Sequence, residues 1–450
     1  MSDLRKLARF LSNLQWKDLP ERVVETAKLC VLDLIGVSIG ARKDELVKNV
    51  ASSYKSRTKA EDCSVWGMGE KFPLSTAVML NAMLAHTLEL DDVHTESKCH
   101  IGASVIPAAW STAEYLGRTG KEFLLAVVCG YETAARIGMA LDASSHRNKG
   151  WHATATCGVF GAAAACAKLL KLDEEQTISA LGMAGTQASG LWAFLGDGAN
   201  CKVLHVGRAA SNGLESAFLA KAGMTGPEHI LDAKDGGLLA AMSDEYDVSK
   251  VSQGLGEKYK ILSLDNKPYP CCRSSHCAID SALNILNKDN IRYEEIERIE
   301  IGTYLVGYKQ CAVSEGCLNP KIPLDAKFST PYAVAVAFLY GKVTMKEFEQ
   351  AIINDSKVQD LLHRVEVKED ERFTKVYPKH WGCEMTVYCK DGKVVKATTK
   401  DPSGSVHNPL TTDKVKEKAS SIIEEHYPEE KEKILESILQ LERANEMPKF

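Results

Sequence analysis

The chain has 450 residues, 45% of them hydrophobic and 26% charged, with a net charge of −5. Such values describe a soluble globular protein that is too long for one hydrophobic core, so two or more domains are expected. The small negative charge excludes a basic footprint for nucleic acid or for an anionic membrane, and an anionic substrate therefore needs a locally positive site.

In chain order, the first stretch, MSDLRKLARFLSNLQWKDLPERVVETAKL, alternates charged and apolar groups at helical spacing. It lacks a secretory apolar region, which predicts mature structure and a cytoplasmic protein. No apolar run reads as long enough to span a bilayer. Residues 19–41 place Pro20 near a helix start and Val23, Val24, Ala27, Val31, Leu34 and Ile35 on one broad face. Similar patterns over 75–90, 103–118, 120–141, 155–171, 173–188 and 207–223 predict helix almost throughout to about residue 255. The small residues of GVFGAAAACAKLL and LGMAGTQASG predict helices that approach closely on several sides.

Inside this helical region, NAMLAHTLELDDVHTESKCHIGASVIP packs His86, Glu89, Asp91, Asp92, His94, Lys98 and His100 between two apolar, small-residue stretches. Burying ionisable groups costs several kcal/mol apiece unless they are paired, so this density points to a shared pocket for proton chemistry. In GWHATATCGVFGAAAA, His152 starts a helix. It reads either as a core histidine satisfied by a carbonyl or as an acid or base working near neutral pH. In GDGANCKVLHVGRAASNGLESAFLA, a glycine loop with Asn200 leads into Lys202, His205 and Arg208. This reads either as a solvated cationic loop or as a cradle for a carboxylate.

Near residue 258 the pattern changes to short β-rich runs at 259–264, 296–306, 364–370, 385–390 and 393–400, with helices at 275–288 and 330–340. This predicts an α+β module. KPYPCCRSSHCAIDSAL puts Arg273 and His276 between a Pro-constrained turn and a helix that Ser274 or Ser275 can cap. KFSTPYAVAVAFLYG has Thr330 as the expected N-cap and Pro331 at the first helical position, which places Tyr332 at a helix mouth. After PSGSVHNPL, charged amphipathic helices return at 412–444. The expected division is residues 1–257 with 405–450 as a discontinuous all-helical domain, and 258–404 as a smaller α+β lid. The 14 cysteines are scattered through helical segments and read as free buried thiols. Cys271, Cys272, His276 and Cys277 lack the spacing of a zinc or iron–sulfur site. No nucleotide fingerprint is present.

HTLELDDVH, HIGASVIPAAW, HATATCGVFGAAAA, CKVLHVGRAASNGLESAFLA, KPYPCCRSSHCAIDSA and FSTPYAVAVAFLYG, in this order, resemble the MmgE/PrpD family of 2-methylcitrate dehydratases, cis-aconitate decarboxylases and iminodisuccinate epimerase. The resemblance implies a mainly α fold with a large helical domain and a smaller α/β lid, a homodimer, a small polycarboxylate substrate, and no metal or organic cofactor. Carried over motif by motif, Asp91 and Asp92 match the paired aspartates. His100, His152, Lys202, His276 and Tyr332 match the active-site histidines, lysine and tyrosine. Glu89 stands where many members carry Asp, Val93 where many carry Thr, and Ile101 replaces the usual Pro, which leans away from decarboxylation.

The expected chemistry creates or quenches carbanion character beside a carboxylate. His100 and His152 are expected to carry acid–base work, oriented by Asp91 and Asp92. Lys202 and Arg273, with Glu89 and His94 nearby, are expected to bind substrate, and His276 and Tyr332 to complete the site from the lid. The first expectation is a hydro-lyase of the 2-methylcitrate dehydratase type. Epimerisation of a substituted succinate is the alternative, followed by decarboxylation. A metal-dependent hydratase and a non-catalytic binding protein are the readings from other classes.

Overall fold

A computed structural model describes residues 1–449. The chain divides into two compact units. One comprises Met1–Trp192, Cys201–Asp265 and the chain from Thr411 on; the other comprises Ala193–Asn200 and Asn266–Leu410. The boundary expected after residue 257 falls after Asp265, because Leu264 and Asp265 pair antiparallel with His94 and Val93. Gly404 belongs to the second unit, where its carbonyl accepts the Asn266 N–H at 2.8 Å.

The first unit is helical, built around Leu74–Thr87, Ile101–Leu116, Gly120–Ala140, Ala153–Leu169 and Lys202–Lys221. These helices share one large core running from Leu4 to Met447. Close approach depends on missing side chains. A Cβ on Gly130 would lie 2.4 Å from Val105 Cγ1 and 2.9 Å from the Gly161 carbonyl, and one on Gly161 would meet the Gly130 carbonyl at 2.9 Å. Helix Gly120–Ala140 corrects one expectation, since its 21 residues are long and apolar enough to cross a membrane. Its apolar window is 94% buried inside the unit, which is how a central core helix passes the same test.

The sequence also predicts a strand at 259–264, whereas residues Lys260–Leu262 form a 3₁₀ turn. Polar groups of the central helix explain this. Arg136 Nε donates to Glu132 at 3.0 Å and Nη1 donates to the Gln253 carbonyl at 2.7 Å, while Glu132 accepts the Lys260 N–H. The start of this loop is thus tied to a buried ion pair, and the run joins a ladder only at Leu264. A C-terminal helix, Thr412–His426, returns to this unit. Lys418 pairs with buried Asp33 at 2.8 Å and donates to the Leu90 carbonyl at 2.8 Å, which ties the tail to the turn ahead of Asp91.

Two residues expected in the site serve this framework. Asp92 accepts the Tyr131 hydroxyl at 2.6 Å and the Gly102 N–H at 3.1 Å. Gly102 is required there, because a Cβ would stand 2.9 Å from the Asp92 carboxylate. Burial pushes the Asp92 carboxyl up to about 7, against the Tyr131 hydrogen bond, and the neighbouring Asp91 charge adds to the rise. His94 is fully buried in the turn 94–99, where its Nδ1 accepts the Ser97 N–H at 3.2 Å and its own N–H reaches the Cys99 carbonyl at 2.9 Å. Burial, with the Lys260 charge, lowers this imidazole to about 3. It is a neutral turn residue and is not turned towards the other histidines by any hydrogen bond described.

The second unit holds a four-stranded sheet in the order Val365–Glu369, Ile296–Thr303, Cys383–Cys389, Val394–Thr399. Its first pair is parallel and the others antiparallel. Helices His276–Asp289 and Thr330–Tyr340 pack in its core. Two cap assignments shift. Ser329, not Thr330, caps the second helix by accepting the Tyr332 N–H at 3.1 Å, and Ser275 makes no cap bond because its hydroxyl meets Thr330 Oγ1 at 2.9 Å. The short helices Leu305–Cys311, Pro323–Lys327 and Ser356–Leu362 are below the length at which periodicity can be read. None of the 14 cysteines is in a disulfide, and all but Cys201 are buried.

Gly130→Ala is expected to lower stability by roughly 1–3 kcal/mol through overpacking, read as a lower Tm by calorimetry, and an unchanged Tm would contradict the close approach. Asp92 also sets a pH dependence. Its native value of about 7 lies above the unfolded carboxyl, so the native state holds the extra proton between them. The stability of wild type relative to Asp92→Asn is then fullest below about pH 4 and is lost as pH rises through about 7. Equal denaturation differences across that range would refute the assignment.

Candidate active site

The first unit brings its histidines together at helix starts. His100 is the N-cap of Ile101–Leu116 and His152 the N-cap of Ala153–Leu169, and neither side chain caps its own helix. The His100 N–H donates to Thr154 Oγ1 at 3.1 Å, which holds the two starts in register. His86, in the last turn of Leu74–Thr87, completes the group. Its ring lies 4.9 Å from that of His100 and 5.9 Å from that of His152, centroid to centroid.

Asp91 organises these rings. Its Oδ2 is 2.7 Å from His86 Nδ1 and 3.2 Å from His100 Nδ1. Burial alone would raise this fully enclosed carboxyl, yet His86 and His100 hold it well below its usual range. The ionised carboxylate orients His86 Nδ1 as a donor, and lying between two imidazoles it compensates a proton carried on either ring. His86 Nε2 is buried without a hydrogen-bond partner among the described residues. That leaves a polar atom for a bound molecule to satisfy.

His152 differs in charge state. Burial lowers it well below the usual imidazole value, and the Lys202, His86, His205 and His100 charges act in the same direction. Its Nδ1 meets His205 Nδ1 at 3.3 Å, and Trp192 packs edge-on against it at 5.2 Å. A neutral imidazole thus lies beside two imidazoles that face one carboxylate, and this combination can move a proton between two positions. Lys202 opens helix Lys202–Lys221 and is ion-paired with Glu89. Glu89 adopts φ +58°, a left-handed conformation rare outside glycine, in the turn that brings its carboxylate to the lysine. The pair supplies the cation that an anionic substrate requires.

In the second unit, Arg273 Nη1 lies 2.9 Å from His276 Nδ1 and donates to the Ser403 carbonyl at 2.9 Å. A guanidinium can only donate, so His276 Nδ1 accepts and the ring proton sits on Nε2, 3.3 Å from the Cys271 carbonyl. Tyr332 is fully buried in that unit's core and its hydroxyl donates to the Glu347 carbonyl. It is packed in the core against a backbone acceptor and is not exposed at a helix mouth.

Of the expected residues, Glu89, Asp91, His100, His152 and Lys202 stand with His86 and His205 in the first unit, while Asp92 and His94 turn to the framework. His86 was legible only as part of the dense stretch. Its position five residues before Asp91, across a helix end, is the signal that would have singled it out. Trp192 gave no polar signal at all. His86, Asp91 and His100 could also ligate a cation, since one ligand atom from each lies within 4.8 Å of the others.

Residues 5–250 match the MmgE/PrpD N-terminal domain and residues 269–443 the MmgE/PrpD C-terminal domain. A cis-aconitate decarboxylase-like protein, oryM, of Aspergillus oryzae is 29% identical, over 98% of this chain and 94% of its own length. The cis-aconitate decarboxylase of Homo sapiens is 27% identical, over 89% and 83%. The 2-methylcitrate dehydratase of Escherichia coli is 23% identical, over 78% and 75%. Together the two matches span most of the chain, and this chain belongs to the MmgE/PrpD family.

Proposed function

We propose that this chain is a lyase acting on a small tricarboxylate, and that its reaction is decarboxylation of a cis-aconitate-like substrate. The observation that carries the acid–base part is the ionised Asp91 shared by His86 and His100 beside a neutral His152. The greater identity and coverage of the decarboxylases support decarboxylation over dehydration. The substitutions that lean the other way lose weight in the structure. Ile101 packs in the core, and Glu89 keeps the carboxylate that pairs with Lys202.

In the proposed step, the bond from the substrate CH₂ to its carboxylate breaks and carbon dioxide leaves. The released pair forms a new CH₂=C bond, and the former alkene carbon takes a proton, giving a methylenesuccinate. His100 delivers that proton, with Asp91 compensating the imidazolium and His86 sharing the charge. Lys202 neutralises a retained carboxylate. Dehydration is the second reading, favoured by the neutral His152, which can remove a proton beside a carboxylate.

Proton NMR in deuterated water separates these readings. With cis-aconitate, the expected result is a pair of new methylene alkene signals, loss of carbon dioxide and one deuterium in the adjacent CH₂. His100→Ala and His152→Ala are each expected to slow turnover about 10²–10⁴-fold. Alkene formation from 2-methylcitrate with inert cis-aconitate would establish the dehydratase instead. Proton exchange with inversion and no alkene change in iminodisuccinate would mark an epimerase, and no reaction with any of the three would overturn the proposal.

A further inference from the structure

A second group of histidines lies in the second unit, in the segments on either side of the last two strands. His380 follows the turn that contains Pro378, while Asp401 and His407 lie beyond strand Val394–Thr399. His380 Nδ1 is 2.8 Å from Asp401 Oδ1 and 3.1 Å from Oδ2, and the rings of His380 and His407 lie 4.7 Å apart. One ligand atom from each of the three lies within 4.8 Å of the others. The reaction proposed for the Asp91 group makes no use of any of them.

From this geometry we propose that His380, Asp401 and His407 form a binding site for a divalent transition cation of the zinc class. Two imidazoles and one carboxylate are the donor set such ions take, with water completing the shell. Bonds of about 2.0–2.1 Å in a tetrahedral shell separate neighbouring ligand atoms by about 3.3 Å, close to the His380–Asp401 spacing already present. Hard cations such as magnesium prefer oxygen ligands and are disfavoured by two nitrogens.

Both supports of the site are braced. The His380 N–H donates to the Val376 carbonyl at 3.1 Å, and the adjacent Trp381 is buried with its indole N–H on the Pro378 carbonyl at 2.8 Å. Beyond Asp401, the Ser403 N–H donates to Asp280 at 2.6 Å, and Ser405 and Asn408 pair across the turn. His407 itself is exposed, so a cation can reach the group from solvent. The turn carries a further consequence, because the Ser403 carbonyl accepts Arg273. A cation tying Asp401 and His407 to His380 steadies the backbone that orients Arg273, so the ion acts as a clamp and not as a reacting centre.

The test uses the full chain after chelator treatment, titrated with Co²⁺ and then with competing Zn²⁺. The expected result is one site per chain whose spectrum shows nitrogen and oxygen ligands without a thiolate band, and which Zn²⁺ displaces. His407→Ala, an exposed change that leaves folding intact, and Asp401→Asn are each expected to weaken it by at least about tenfold. His100→Ala, in the other histidine group, is expected to leave it unchanged. Zn²⁺ is also expected to slow amide hydrogen exchange over residues 401–408 in wild type but not in His407→Ala. Absence of binding at about 100 µM Co²⁺ would overturn the proposal. So would a thiolate spectrum, or affinity lost in His100→Ala and kept in His407→Ala.

Discussion

A carboxylate with no access to solvent, gripped by two imidazoles through one oxygen, constrains much of the first unit. Asp91 stays ionised there only because His86 and His100 face it, and each ring comes from a different helix. The end of Leu74–Thr87 and the start of Ile101–Leu116 must therefore converge on the turn between them. That turn is held from behind, by Lys418 on the Leu90 carbonyl and by Asp92 on Tyr131 and Gly102. The adjacent aspartates thus do opposite work. Asp91 is held charged by its partners and Asp92 is pushed towards neutrality by burial, a separation set entirely by surroundings.

The same constraint explains why small residues matter away from the chemistry. Helices carrying His100 and His152 at their N-caps bring the rings together only if their axes pack closely, and Gly130 and Gly161 permit that beneath them. His152 is kept neutral by burial and by nearby cationic groups, so the site offers an imidazole with a nitrogen free of a proton beside the rings that face Asp91. An anionic substrate adds negative charge near Lys202 and stabilises the cationic form of the groups around it.

Much of this was legible in the sequence where periodicity runs long. The helices through residue 223 and the late strands follow from apolar spacing, and the crowding of His86 to His100 marks the histidine group around Asp91. What was not legible depended on tertiary partners. Nothing local says that Asp91 turns to histidines while Asp92 turns to Tyr131, because both occupy the same short turn and only the fold separates their environments. The run at 259–264 has strand composition, but Glu132 and Arg136 claim its backbone. His94 resembles its neighbours in type and is spent on closing a turn with Ser97. Tyr332 follows a helix start as expected, yet the register of the Ser329 cap and the Glu347 carbonyl directs its hydroxyl into the core.

Neutron diffraction on crystals of the substrate-free protein tests the central claim most directly, because it locates the protons of the histidine group. The account predicts no proton on Asp91, protons on the Nδ1 atoms of His86 and His100, and a single ring proton on His152. A protonated Asp91, or a His152 carrying protons on both nitrogens, would contradict it.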